Sequence, residues 1–280
     1  SLTADLLADG PFVRLDAPYG LLEIQGPDAV DFLQRLGSQD VAALADGRLA
    51  PAAFLDAKGK VRATCLVGRL GETLWLETQA AQLDPLAQLL ERYHFTEKLT
   101  IARREFGGCQ ERIAAHAPGQ PAGELRRTDG GVVVVFARRG VAFVRAHGGA
   151  VADEGATALG AERAECLRMA AKLVAVGVET EPSTLALEAD LDDHCSTDKG
   201  CYTGQEIVAR IHTYGHVNRR LCLLRLAAGE RITAPAPLAE PEDGIAVGRV
   251  MHAVPAPDGT FRVGLGYLPK DFQAPGTRLV

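Results

Sequence analysis

The stretch Lys199-Gly200-Cys201-Tyr202-Thr203-Gly204-Gln205-Glu206-Ile207-Val208-Ala209-Arg210 sets one thiol just after one glycine and three residues ahead of a second. Thr203 and Glu206 have the spacing of a capping box, which predicts a helix from Thr203 with Cys201 just before its positive end. Lys199 and Arg210 add positive charge, and each of these features favours a nucleophilic thiolate. The competing reading is a cysteine that only packs, since free cysteine is among the most buried residue types.

Working outward, Gly20-Leu21-Leu22-Glu23-Ile24 reads as a strand, and Pro27 opens a helix with Ala29, Phe32, Leu33 and Leu36 on one face and Gly37 as its stop. Phe54-Leu55 and Val61 to Val67 flank Asp56-Ala57-Lys58-Gly59-Lys60, which predicts a hairpin. Thr73 to Thr78 alternates as a strand, and a helix capped by Asp84 with Pro85 at its first position follows. Residues 20–104 therefore form an α+β unit. A second unit begins near Arg104, with strands at Val132 to Phe136 and Val141 to Val144 after a Gly- and Pro-rich loop from Ala117 to Gly131, then a helix over Ala161 to Val174. From Arg220 short strands (Leu221 to Leu226, Ile245 to Val254, Phe261 to Leu268) predict a small β-barrel or sandwich.

Lys199 to Glu206 with Ala209-Arg210 resembles the signature of the YgfZ family. Asp56-Ala57-Lys58-Gly59-Lys60 is similar to a second family feature, and Leu167-Arg168-Met169 to the family's Arg-containing segment. The similarity in order and spacing runs from about Gly20 to Leu224. Ala209 to Leu221, with His212, Gly215 and Arg219-Arg220, also resembles the mitochondrial branch that helps mature [4Fe–4S] proteins.

The resemblance implies an α+β fold of the glycine-cleavage T-protein type: a three-domain ring with ferredoxin-like α+β domains, a small C-terminal β-barrel and a central channel for tetrahydrofolate. The expected division is 1–19 with 105–190 as one α+β domain, 20–104 as the folate-binding domain, 191–219 as signature loop and helix, and 220–280 as barrel. The implied function is tetrahydrofolate binding in the synthesis or repair of iron–sulfur clusters, with a link to tRNA-modifying cluster enzymes. Cys201 is the expected reactive group. Lys58, Arg168 and Arg210 are the expected folate-binding cations, and Asp56, Gly59, Lys60, Lys199, Gly200, Tyr202, Gly204, Gln205 and Glu206 complete the motifs. Cluster-assembly factors or cluster-containing enzymes are the expected partners, without a membrane or direct nucleic acid. Lys172 and Val174 depart from the family's usual Gly and Pro, and His194 to Asp198 from its more apolar segment.

Two other functions compete. Aminomethyl transfer needs an acidic residue near the folate nitrogen, whereas Ala63 and Thr64 stand where the T-protein has a pair of aspartates. A non-catalytic folate-binding scaffold would use Cys201 only to fix a loop. No metal site is expected: His212 and His216 are four apart with Tyr214-Gly215 between them, and no zinc spacing is present. Asp192-Asp193 reads as a solvated loop and Trp75 as core.

Composition sets the outer bounds. The 280 residues carry a net charge of −6, which disfavours a general polyanion surface. Six cysteines without a CxxC pair read as free thiols of a reducing compartment, and no run of about 18 apolar residues is present, so a cytoplasmic chain is expected.

Overall fold

The computed structural model describes residues 1–117, 119–120, 122–229 and 232–280, with the backbone alone of Tyr214. Pro118 and Pro121, in the loop expected from Ala117 to Gly131, lie outside the described residues. The chain starts with α1 (Leu2–Leu7) and β1 (Phe12–Arg14) and then builds a five-stranded antiparallel sheet. Its strands are β2 (Tyr19–Gln25), β3 (Leu49–Leu55), β4 (Val61–Leu70), β5 (Thr73–Gln79) and β6 (Thr100–Arg104), in the order β3-β4-β5-β2-β6.

Period-two alternation gives this sheet two apolar faces. Leu22, Ile24, Phe54, Ala63, Val67, Leu74 and Leu76 pack with residues of α2 (Ala29–Leu36) and α3 (Ala80–Arg92). Leu21, Leu66 and Trp75 belong instead to the core shared with the next sheet. Two helix starts differ from expectation. Asp28 caps α2, so Pro27 stands outside it, and α3 begins at Ala80, where the N–H donates to Pro18 O at 2.8 Å, leaving Pro85 inside the helix. Docking of that first turn outweighs the proline signal.

The second sheet adds β7 (Cys109–Ala115), β8 (Glu124–Thr128), β9 (Gly131–Arg138), β10 (Val141–His147) and β11 (Thr157–Ala158) to β1, in the order β11-β1-β7-β10-β9-β8. Here α4 (Ala161–Ala170) follows, four residues shorter than expected. Lys172, just after it, has φ +50°, a left-handed backbone that glycine adopts most easily. Its side chain holds the turn, with Nζ 2.8 Å from Leu221 O and 2.9 Å from Asp190 Oδ2.

After α5 (Gln205–Tyr214), strands β12 (Arg219–Ala227), β13 (Ala236–Ala239), β14 (Ala246–Pro255) and β15 (Phe261–Pro269) form an antiparallel sheet in the order β12-β15-β14-β13. The three strands expected here are present and β13 is added, but among the described residues no pairing joins β12 to β13, so the sheet is open rather than the closed barrel expected. Among the described residues no helix is long and apolar enough to cross a membrane.

Candidate functional site

The expected capping box does not form. Gly204, not Thr203, caps α5, with φ +84° and no side-chain hydrogen bond from a cap residue. The reason is a close backbone approach: a Cβ on Gly204 would lie 2.6 Å from Asp56 O, and one on Gly59 would lie 2.9 Å from Ile207 Cβ. Hairpin Asp56 to Lys60 and the signature, about 145 residues apart in sequence, are thus packed glycine against glycine. Asp56 rigidifies its side of the contact. Its Oδ1 accepts from the N–H groups of Lys58 and Lys60 at 2.8 and 3.0 Å, and Oδ2 from Arg62 at 2.5 Å. Burial opposes ionisation, but these donors, Lys60 N–H foremost, hold the carboxyl below its usual range.

Within the signature, Lys199 is buried and its Nζ donates to Gln34 O, Gly37 O and Gln39 O at 2.7, 2.6 and 2.7 Å. It therefore closes the C-terminal end of α2, where orphan carbonyls and the helix dipole favour a cation. Burial pushes its ammonium down to about 8, against the pull of Asp40. Tyr202 is buried with the Lys199 Nζ 5.0 Å from its ring centre. Gly200 is exposed, Gln205 Nε2 reaches Lys199 O at 3.4 Å, and Glu206 is exposed.

Cys201 is exposed between these anchors. The other five thiols differ: Cys65, Cys109, Cys166 and Cys195 are buried and Cys222 is partly so. Burial pushes Cys166 and Cys195 up to about 12, and pushes Cys65, Cys109 and Cys222 in the same direction.

A cleft of about 400 Å3, open solvent included, lies elsewhere, where the five- and six-stranded sheets meet. Its walls include Tyr19, Thr64, Leu66, Glu77, Thr78, Gln79, Arg145, Leu173, Val174 and His194. Cys201 and the three expected cations do not line it. Lys58 and Arg210 are exposed, and Arg168 is buried with all its donors engaged inside the protein. Nε and Nη2 of Arg168 bind Glu165 at 2.8 and 2.6 Å, Nη2 binds Glu179 at 2.5 Å, and Nη1 binds Glu179 at 3.2 Å and Leu173 O. Arg168 thus fixes the turn that delivers Leu173 and Val174 to the cleft.

The cleft rests on a buried ionic chain absent from the sequence expectations. Arg14 Nε and Arg145 Nε bind the two oxygens of Glu111 at 2.7 Å each. Arg145 Nη1 binds Glu77 Oε2 at 2.7 Å, and His147 Nε2 lies 2.7 Å from Glu77 Oε1. Burial alone would neutralise Glu77, but the charge of Arg145 holds its carboxyl below the usual range. The sequence carried a signal for this chain: Val141, Phe143, Arg145 and His147 alternate on one face of β10, so a core-facing stripe turns ionic midway.

Other expected features fall as follows. Asp192 and Asp193 are not merely solvated: Asp193 binds Arg138 at 2.7 and 2.8 Å, and Asp192 binds Arg220. Trp75 is buried in the core. His212 and His216 are exposed beside a separate open cleft. Among the described residues, Glu165, Glu179 and His252 place ligand-type atoms within 4.8 Å of one another, but Arg168 already supplies the cation to both carboxylates.

No family model matches the chain. It is 26% identical over 283 residues to a putative chloroplastic transferase of Arabidopsis thaliana, covering 90% of this chain and 64% of that protein. It is 29% identical to the tRNA-modifying protein YgfZ of Klebsiella pneumoniae, over 74% of this chain and 69% of that protein. An iron–sulfur cluster assembly factor, the mitochondrial IBA57 homolog of Phaeosphaeria nodorum, is also 29% identical, over 75% of this chain and 54% of its own length. The glycine cleavage system aminomethyltransferase T from Bartonella henselae superposes with a TM-score of 0.77 at 16% identity, over 99% of this chain and 84% of that one. In sequence the chain is thus similar to YgfZ and IBA57 proteins, and in fold to the aminomethyltransferase T-protein. The T-protein-like fold brings the Asp56 hairpin and the Cys201 signature into direct contact.

Proposed function

We propose that the protein binds tetrahydrofolate or a derivative in the cleft between the two sheets and acts in the synthesis or repair of iron–sulfur clusters through Cys201. The carrying observation is that Cys201 is exposed on a rigidly anchored loop while the other five thiols are withdrawn by burial. An exposed thiolate is a soft ligand for iron and a nucleophile toward sulfur. The named functions of the YgfZ and IBA57 relatives fit that chemistry, and cluster-assembly factors or cluster-containing enzymes are the partners it implies. A cytoplasmic setting fits a chain whose thiols are all unpaired.

The cleft suits a reduced folate. Leu66, Leu173 and Val174 offer apolar walls for a heterocycle, while Thr64, Thr78, Gln79 and His194 offer polar groups. Lys58 and Arg210, exposed outside it, are the candidates for the acidic tail, and Arg168 is a positioning residue. The same reading divides the chain into 1–19 with 105–190, 20–104, 191–219 and 220–280. Aminomethyl transfer is disfavoured, because β4 presents Thr64 to the cleft and Glu77 is occupied by Arg145 and His147.

Titration of the purified protein with tetrahydrofolate, followed by ligand fluorescence, should show saturable binding that Cys201→Ser leaves within about threefold. The same variant should fail to restore cluster-enzyme activity in cells lacking the protein. Full rescue by Cys201→Ser would reduce the protein to a folate-binding scaffold, and absence of saturation would remove folate from the reading.

A further inference from the structure

Tyr19 stands at the start of β2, where its backbone faces Gln79 at the end of β5 and its N–H donates to Ala17 O at 2.9 Å. Tyr19 is one of the residues that line the cleft. The guanidinium of Arg145 lies on that ring, with Cζ 3.4 Å from the ring centre. Arg145 is itself immobile: it is 2% exposed, Nε is bound to Glu111 and Nη1 to Glu77. Its Nη2 is buried without a hydrogen-bond acceptor, so the ring face is what that nitrogen meets.

We infer that Tyr19, backed by Arg145, is a preorganised stacking platform for the pterin ring of a reduced folate. This inference rests on the folate reading above and names the residue that reads the ligand. The ring is held by strand pairing on one side and by a doubly anchored guanidinium on one face, so little freedom remains to be lost when a ligand stacks on it. Burial pushes the phenol up to about 12, against the opposing charge of Arg145, so the hydroxyl stays neutral and its ring stays uncharged at physiological pH. Leu66, Leu173 and Val174 line the same cleft and supply the further apolar surface that a flat heterocycle stacked on this ring needs. The ionic chain below is internally balanced, with Arg14 and Arg145 against Glu77 and Glu111. A neutral ring therefore enters without an uncompensated buried charge, whereas the carboxylates of a folate tail would add one. The tail accordingly stays toward solvent.

The test compares tetrahydrofolate affinity of the intact protein with that of Tyr19→Phe and Tyr19→Leu. Phenylalanine keeps the ring and should stay within about threefold, while leucine removes the platform and should weaken binding at least about tenfold. Arg145 is left in place because its loss would strand two buried carboxylates. If the Leu variant does not fold, tyrosine-labelled protein decides: the Tyr19 ring signal, assigned by its loss in Tyr19→Phe, should shift when tetrahydrofolate is added. Unchanged affinity in Tyr19→Leu, or an unshifted Tyr19 signal at saturation, overturns the platform and leaves folate binding standing. No binding by the unaltered protein overturns both.

Discussion

At the scale of single residues, the Cys201 site separates exposure from packing. Burial raises the other five thiols, and only thiolate alkylates rapidly. A small alkylating reagent near neutral pH should therefore label Cys201 first, by at least about tenfold over Cys65 or Cys195 in peptide mass spectrometry. Labelling of Cys222 at an equal rate would mean that the loop around Cys201 shields it. Cys201→Ser should change unfolding free energy by no more than about 0.5 kcal/mol, as surface substitutions do. The exposure of Cys201 was readable from the small residue beside it, Gly200, which is itself exposed. The role of Lys199 was not, because a lysine that binds three carbonyls of another element looks in sequence like any surface cation beside a thiol.

At the scale of elements, two glycines of one motif do different jobs. Gly204 has a positive φ and no room for a Cβ, whereas Gly200 has nothing within 4 Å of its Cβ position. Gly204→Ala should cost roughly 2 kcal/mol or more, from a left-handed backbone plus the clash with Asp56 O, while Gly200→Ala should stay within about 0.5 kcal/mol. Chemical denaturation of the two variants checks this, and equal stability would mean that hairpin and helix are not locked together. Strands were read well from alternation, as at Thr73 to Thr78 and Phe261 to Leu268, because one residue of slip would turn every side chain over. Helix starts were read poorly. Pro85 and Thr203 are sound local signals, but tertiary contacts at Ala80 and Gly204 set the ends instead.

At the scale of the whole molecule, ion pairs tie its parts together, and their position could not be read from sequence because the partners come from elements far apart in the chain. Glu77 and Arg145 join the five- and six-stranded sheets. Asp193 and Arg138 join the segment before the signature to the six-stranded sheet. Glu165, beside Arg168 on α4, reaches His252 on the C-terminal sheet at 3.0 Å. Burial works against ionisation of each carboxyl, yet their cationic partners win: Glu165 is held at about 2, and Glu77 and Asp193 are held low as well. A carboxyl whose folded pKa lies below its unfolded value lends stability above the unfolded value and loses it as pH falls through the folded one. The window here runs from about 4.5 down to about 2. For Glu165 that drop corresponds to on the order of 3 kcal/mol, at a slope of at most about 1.4 kcal/mol per pH unit. Thermal unfolding of the intact protein should therefore soften sharply below pH 4.5. Glu165→Gln should be less stable at pH 7 and show a shallower decline between pH 4.5 and 2, because one proton uptake is gone. An undiminished slope in that variant would show that the α4 pairs do not couple the C-terminal sheet to the rest of the fold, and acid lability would then belong to the Glu77 chain between the two larger sheets.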